Sequence, residues 1–328
     1  MHRRTLAFGM CLMLILPACG RSAETALPAS PTHTPIRLPM GYIPSVQYAP
    51  FYLAVERGYF ADAGLELEFD YSFETDGVAL VASDELQFSL ASGEQVLLAR
   101  AQGLPVVYVL GWWQDYPVGI VASAESGIQA PADLAGKHVG IPMLGGASFI
   151  GYRALLRGAG LPQDIATLDV IGFTQVEALM TETVDAAVIY VNNEPVQLES
   201  RGLEVTVMRV ADYAHLASNG LLTNEKTLRT RPDLVRAMIA ATLRGIEEAV
   251  AEPDAAFEAS RAFVEGLEGE TATIQRKVLD ASIGFWRTDR PGYSDGLSWD
   301  TMQDVLLDMG LLTAPLDLTR AFTNDFLP

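Results

Sequence analysis

The sequence predicts an α/β protein built as two lobes, on three observations. Strand-like and helix-like segments alternate from residue 36 to about residue 110. A second alternating set opens at residue 137 and reaches residue 190. Near residue 217 the chain changes again, into helical periodicity from Pro232 to about residue 281.

Ile36, Leu38, Met40 and Tyr42 alternate as a strand does, and Pro39 inside that run restricts it to an edge or a bulged strand. Ala49 to Arg57 reads as a helix, with Pro50 suited to its first turn and Gly58 able to close it in the left-handed conformation. Leu65, Leu67 and Phe69 then alternate with Glu66, Glu68 and Asp70, which completes a β-α-β beginning. Phe88 to Ala91, a helix from Gly93 to Ala101 and the all-apolar run Val106 to Leu110 follow, the last with the look of a parallel strand covered on both faces. The second set runs from Lys137–Ile141 through a helix Phe149–Arg157, preceded by the turn Gly145-Gly146, to the strand Ala186–Tyr190.

The 328 residues carry 41 acidic and 22 basic side chains, a formal net charge of −19. Such a chain is repelled by nucleic acid and anionic lipid, so neither is an expected partner. His2, Arg3 and Arg4 precede an apolar run from Leu6 to Leu16, too short for a membrane span of about 20 residues and suited to an export signal. That run ends in Leu16-Pro17-Ala18-Cys19, which resembles a bacterial lipoprotein signal. The resemblance implies cleavage after residue 18 and a lipid on Cys19; the alternative is an ordinary signal in which Cys19 is incidental. Residues 19–35 are polar and proline-rich and read as a tether. The remaining Cys, Cys11, lies inside the signal, so the mature chain has no disulfide and no thiolate for catalysis or metal binding.

The run Gly41-Tyr42-Ile43-Pro44-Ser45-Val46-Gln47-Tyr48-Ala49-Pro50-Phe51-Tyr52, with Gly58-Tyr59-Phe60, Phe88–Glu94, Ala130–Gly140 and Asp185-Ala186-Ala187, resembles the substrate-binding proteins of ABC importers. The branch is the thiamine-pyrimidine-precursor-binding, pyrimidine-synthase-like family. The resemblance implies a type II periplasmic-binding-protein fold in which each lobe is a mostly parallel sheet flanked by helices. It places lobe one at 36–123 plus 217–328 and lobe two at 124–216, with ligand captured between them. It also implies permease and ATPase partners, and a monomer held by its lipid on the extracytoplasmic face of the cell membrane.

In such lobes ligands sit beyond the carboxyl ends of strands, so the loops after strands are the candidates. Gln47 and Tyr48 offer an amide and a ring, although Tyr48 could equally pack beneath its helix. Ser92 and Glu94 stand at a helix start, where Ser92 could be a cap alone. Trp112, Trp113 and Tyr116 present flat faces suited to a heteroaromatic ring. Tyr190, Asn192, Asn193 and Glu194 could read the edge of that ring, with Glu194 as a first-turn helix acid the alternative. Gly145-Gly146 is an anion-holding turn in relatives of this fold but has no Lys beside it here. Asn219 and a turn at Gly220 are placed at the second lobe crossing, and Trp286 and Trp299 are read as packing.

The family also includes pyrimidine synthases that rely on His and Cys. Here His33 is in the tether, His138 opens a strand and His215 stands alone, so no catalytic residue, metal or cofactor is expected. The motif run, with Trp112-Trp113 and Asn192–Pro195, is most similar to the riboflavin-importer branch. The thiamine pyrimidine precursor formylaminopyrimidine is the alternative ligand and a sulfonate the third.

Overall fold

In the computed structural model, which describes residues 33–328, the first alternating run forms strand β1 (Thr34–Gly41). The expected signal segment and Cys19 lie outside the described residues. The tether expected to reach residue 35 gives way to β1 at Thr34. β1 pairs in parallel with β2 (Leu65–Phe73), and their register breaks between Pro39 and Gly41, the irregularity that a proline without an N–H forces. Between them α1 (Ala49–Glu56) starts with Pro50 in its first turn, and Gly58, at φ +74°, turns the chain into α2 (Tyr59–Asp62).

The first lobe continues through α3 (Glu74–Ala82), β3 (Ser89–Ser92), α4 (Gly93–Ala101) and β4 (Val106–Gly111). All six residues of β4 are buried, as expected of a covered strand. Its pairing is not parallel. β10 (Asn219–Asn224) arrives from the other lobe, inserts between β3 and β4 and runs antiparallel to both. Gly220 is therefore a strand residue rather than a turn. A Cβ there would lie 2.1 Å from the Tyr108 hydroxyl and 2.2 Å from the Leu110 carbonyl oxygen, so glycine permits the strand crossing.

The second sheet holds β5 (Val118–Ser123), β6 (His138–Ile141), β7 (Thr167–Val170), β8 (Ala186–Tyr190) and β9 (Val205–Arg209) in the order β7-β6-β8-β5-β9. α5 (Gly146–Gly158), α6 (Gln175–Met180) and α7 (Glu194–Ser200) join them. β6 is parallel to β7 and β8, whereas β5 is antiparallel to β8 and β9. The five-stranded sheet is thus mixed rather than mostly parallel, and the lobe-one strands form a parallel pair, β1-β2, beside an antiparallel sheet, β3-β10-β4, because the strand that enters from the opposite lobe runs against its neighbours. β5 shares the five-stranded sheet with β8 and β9. The chain passes from the β3-β10-β4 sheet to the five-stranded sheet between β4 and β5 and returns between β9 and β10.

After β10 come α8 (Glu225–Thr230), α9 (Pro232–Ala251), α10 (Pro253–Ser260) and α11 (Gly269–Trp286). Pro253 interrupts the expected continuous periodicity, because it has no N–H to extend α9 and forces Glu252 out of helical geometry (φ −126°, ψ 67°). α9 and α10 bury their apolar faces against α1. The last helix, α12 (Gly296–Asp308), packs on α4 of one lobe and α5 of the other, so one apolar cluster runs through both lobes behind the cleft. Trp299 sits in that cluster, stacked on Phe322, with its N–H donated to Ser294 Oγ at 2.8 Å. Trp286 is buried beside Trp113. Both are packing residues, as expected.

Candidate functional site

The loops that follow the strands of both lobes converge on one cleft, with a cavity volume of about 220 Å³. A single water needs roughly 10–15 Å³ on that measure, so the space suits an organic molecule. Lobe one supplies the end of β1, the Val46–Tyr48 turn, the start of α3 and the segment after β4; lobe two supplies the Gly145-Gly146 turn, the residues after β7 and those after β8.

The lobe-one wall is a packed aromatic stack. Ser45 caps the Val46–Tyr48 turn by accepting the Gln47 N–H at 3.3 Å, and Tyr48 donates its hydroxyl to the Met40 carbonyl at 2.7 Å. With its hydroxyl so anchored, Tyr48 stacks on Trp112 (5.3 Å between centroids, 22° between planes). Phe51 and Trp113 meet Trp112 edge-on. Trp112 and Trp113 are 4% and 3% exposed and belong to the lobe-one core, so each lines the cleft with a narrow strip rather than an open face. The more accessible aromatic surfaces are Phe73 and Phe173, 52% and 45% exposed, with Tyr42 and Tyr190 partly covered.

Hydrogen bonds and ring contacts tie the walls together. Asn192, from lobe two, donates to Gln47 Oε1 at 2.9 Å and to Ser282 Oγ at 2.8 Å. The Tyr190 hydroxyl donates to Asn219 Oδ1 at 3.4 Å, and Tyr42 meets Phe173 edge-on at 4.9 Å across the mouth.

Two carboxyls face the cleft. Glu74, at the start of α3, accepts at Oε2 from the Ser92 N–H (3.2 Å) and hydroxyl (2.7 Å), and at Oε1 from Asn219 Nδ2 (3.0 Å). Glu194, at the start of α7, accepts from the Tyr190 N–H (2.9 Å) and Asn193 Nδ2 (3.0 Å). Burial raises Glu74 above the ordinary carboxyl range and pushes Glu194 up to about 7. Behind Glu74 lies Glu94, fully enclosed, which burial first and the neighbouring Glu74 charge second push up to about 8. Ser92 Oγ bridges the two carboxyls. Since that hydroxyl has a single proton for two carboxyl partners, the bridge is complete when Glu94 is a neutral acid donating to Ser92, which donates to Glu74.

Of the residues singled out from sequence, Gln47, Tyr48, Trp112, Trp113, Tyr190, Asn193 and Glu194 line the cleft. Ser92, Glu94, Tyr116 and Asn192 do not. Ser92 makes no cap bond to α4 but spends its hydroxyl on the carboxyl pair; Glu94 points into the interior behind it. Tyr116 donates across the lobe crossing to the Ala147 carbonyl at 3.0 Å, and Asn192 is the buried tie between the lobes.

Tyr42, Phe73, Glu74, Phe173 and Gln175 line the cleft without having been chosen, whereas Asn219 was foreseen at the crossing. Phe73 ends β2 and Glu74 follows it; the strand runs to residue 73 rather than 69, and the rule of looking at the strand end would have reached them. Phe173 and Gln175 follow β7, whose run Thr167–Val170 is too short and too mixed to stand out.

A two-lobed α/β fold with a cleft between its lobes and two crossings behind it is the type II periplasmic-binding-protein architecture. The periplasmic aliphatic sulphonate binding protein SsuA from Escherichia coli matches it with a TM-score of 0.72 at 15% identity, over 90% of this chain and 99% of that one. The chain belongs to the NMT1/THI5-like family, whose description matches residues 45–256. It is 38% identical to the riboflavin-binding protein RibY of Chloroflexus aurantiacus, over 100% of this chain and 99% of that protein. It is 26% identical to a formylaminopyrimidine-binding protein of Halalkalibacterium halodurans, over 83% and 86% of the two chains.

Proposed function

We propose that this chain is the extracytoplasmic substrate-binding component of an ABC importer and that its ligand is riboflavin. The observation that carries the reading is the cleft itself, lined by rings, amides and carboxyls with no Lys, Arg or His among its lining residues. Full-length similarity to a riboflavin-binding protein supports it. Isoalloxazine offers a broad face for Tyr190, Phe73, Phe173 and the exposed strips of the tryptophans. Its imide edge and ribityl hydroxyls offer N–H and O–H donors to Glu74, Glu194 and the side-chain oxygen of Gln47. A cleft without His or Cys supplies no nucleophile of the kind a pyrimidine synthase relies on, and among the described residues no group of His, Cys, Asp and Glu could hold a metal ion. Similarity to riboflavin-binding and formylaminopyrimidine-binding proteins supports an output of capture and delivery rather than chemistry.

The experiment is a titration of riboflavin with purified mature protein, followed by flavin emission. Quenching that ends near one-to-one supports the reading; unchanged emission at micromolar protein ends it. Ligand should also raise the melting temperature, by the equivalent of about 2.7 kcal/mol at a hundredfold excess over Kd. Formylaminopyrimidine is the second reading, favoured specifically by the paired carboxyls, which suit the amino and ring nitrogens of an aminopyrimidine. A thermal shift with it and none with riboflavin would select it.

The same reading places the chain at the membrane through a lipid on Cys19, followed by a tether, as a monomer docking on a permease coupled to an ATPase. Cys19→Ser should release the protein from the membrane fraction while leaving flavin quenching intact.

A further inference from the structure

Glu74 and Glu194 stand on opposite lobes, at the starts of α3 and α7, so a molecule in the cleft lies between them. Every hydrogen-bond partner of either carboxyl within the protein can donate: the N–H and hydroxyl of Ser92 and the amide of Asn219 for one, the N–H of Tyr190 and the amide of Asn193 for the other. Such partners favour the charged form and oppose the burial that raises both groups, and pH 8 lies above the value of about 7 to which burial pushes Glu194. No Lys, Arg or His lines the cleft to balance them. What favours an anion here is helix starts, α3 and α7 beginning at the two carboxyls themselves and α5 at the Gly145-Gly146 turn, each terminus carrying about half a positive charge. That is too little to neutralise two carboxylates and a dianionic guest together.

We propose that these two carboxyls make the cleft a charge filter, which admits an uncharged flavin and rejects the same flavin once a phosphate ester is added. The specificity-determining residues are Glu74 and Glu194, and the excluded class is the flavin 5′-phosphates. The proposal rests on the riboflavin reading and adds to it that the protein discriminates the free vitamin from its phosphorylated form by charge rather than by size.

The test is a set of three titrations at pH 8, with riboflavin, its 5′-phosphate and a neutral 5′-ester of similar bulk, each followed by flavin emission. Like charges brought together cost enough that the phosphate should bind about 100-fold more weakly than riboflavin, while the neutral ester loses less than about tenfold. Glu74→Gln and Glu194→Gln, in protein shown to be folded by circular dichroism, should each narrow the gap between phosphate and riboflavin, and together narrow it by about tenfold or more. A phosphate that binds as tightly as riboflavin overturns the filter and leaves the riboflavin reading standing. So does a neutral ester that loses as much as the phosphate, because size would then be the discriminator, and so do folded variants whose gap is unchanged. Should the variants fail to fold, the three ligands on the unaltered protein decide. If none of the three flavins binds, the riboflavin reading and the filter fall together.

Discussion

The two walls of the cleft are built on different principles. On the lobe-one side Tyr48, Phe51, Trp112 and Trp113 pack into one another and into the core, and the ligand-facing surface is the edge of a structure that exists for stability. On the lobe-two side the lining is a glycine turn, Tyr190, Asn193 and Glu194 and a half-exposed Phe173, drawn from strand ends, helix starts and the loops between them and held by hydrogen bonds rather than by a ring stack. The contrast teaches that a stiff apolar wall and an adaptable polar one can share a ligand, the first offering shape and the second reading its edge and closing on it.

Trp112→Ala gives the largest effect and the sharpest way to break this comparison. Removing a buried Trp costs about 3–5 kcal/mol through lost burial and the cavity left behind, and the ring lies among Tyr48, Phe51 and Trp113. Urea unfolding should show that loss, accompanied by weaker flavin quenching. An unchanged midpoint with binding abolished would show instead that the ring is an outward-facing platform.

Glu94→Gln probes the wall from behind. The Glu94 carboxyl is held up near 8 by burial and by Glu74, against 4.5 for the ordinary group. Its contribution to stability is therefore fully present below pH 4.5 and is lost as pH rises through about 8, because the folded state binds the proton more tightly than the unfolded one. The unaltered protein should lose stability relative to Glu94→Gln between pH 5 and pH 9, by the order of a few kcal/mol. Parallel stability curves for the two proteins across that range would show that the carboxyl pair behind the cleft carries no such proton.

Asn192→Ala tests whether the polar wall is held to the stiff one. The substitution removes two buried hydrogen bonds, to Gln47 and Ser282, and leaves those partners to find others, a loss of about 1–3 kcal/mol. Part of the loss should appear as looser closure, read as a larger radius of gyration in small-angle scattering on the ligand-bound protein. Closure equal to that of the unaltered protein would remove Asn192 from the tie.

The sequence made the lobes legible because each helix and strand that shapes them carries its own signal: Pro50 and Gly58 bracket α1, and the alternation Leu65, Leu67, Phe69 announces β2. Pairing directions were not legible. Val106–Leu110 reads the same whether its neighbour is parallel or antiparallel, and β10 comes from more than a hundred residues away to lie beside it. The aromatic and amide residues of the cleft could be chosen because they follow recognisable strands. Glu74 could not, since the alternation that marks its strand stops at Phe69, while Ser92 and Glu94 were visible as polar residues at a helix start but not as a buried pair's bridge and partner. Whether a side chain at a strand end turns into the cleft or into the core depends on tertiary packing, which residue spacing does not encode.

Phe73→Ala and Phe173→Ala should change the fold least, and that is their use. Both rings are about half exposed, one at the end of β2 in lobe one and the other after β7 in lobe two, so each removal should move stability by no more than about 0.5 kcal/mol. Both line the cleft, and an aromatic pair is worth about 0.5–1.5 kcal/mol beyond its buried area. Each substitution should therefore weaken riboflavin about two- to tenfold, measured by the same emission titration. If only Phe173→Ala weakens binding, the gripping surface belongs to the adaptable wall and the lobe-one stack acts as a rigid floor. If neither does, the flat face of the ligand must rest on Tyr190 and the narrow strips of Trp112 and Trp113, and the division of labour between the walls would have to be redrawn with the stiff side as the one that binds.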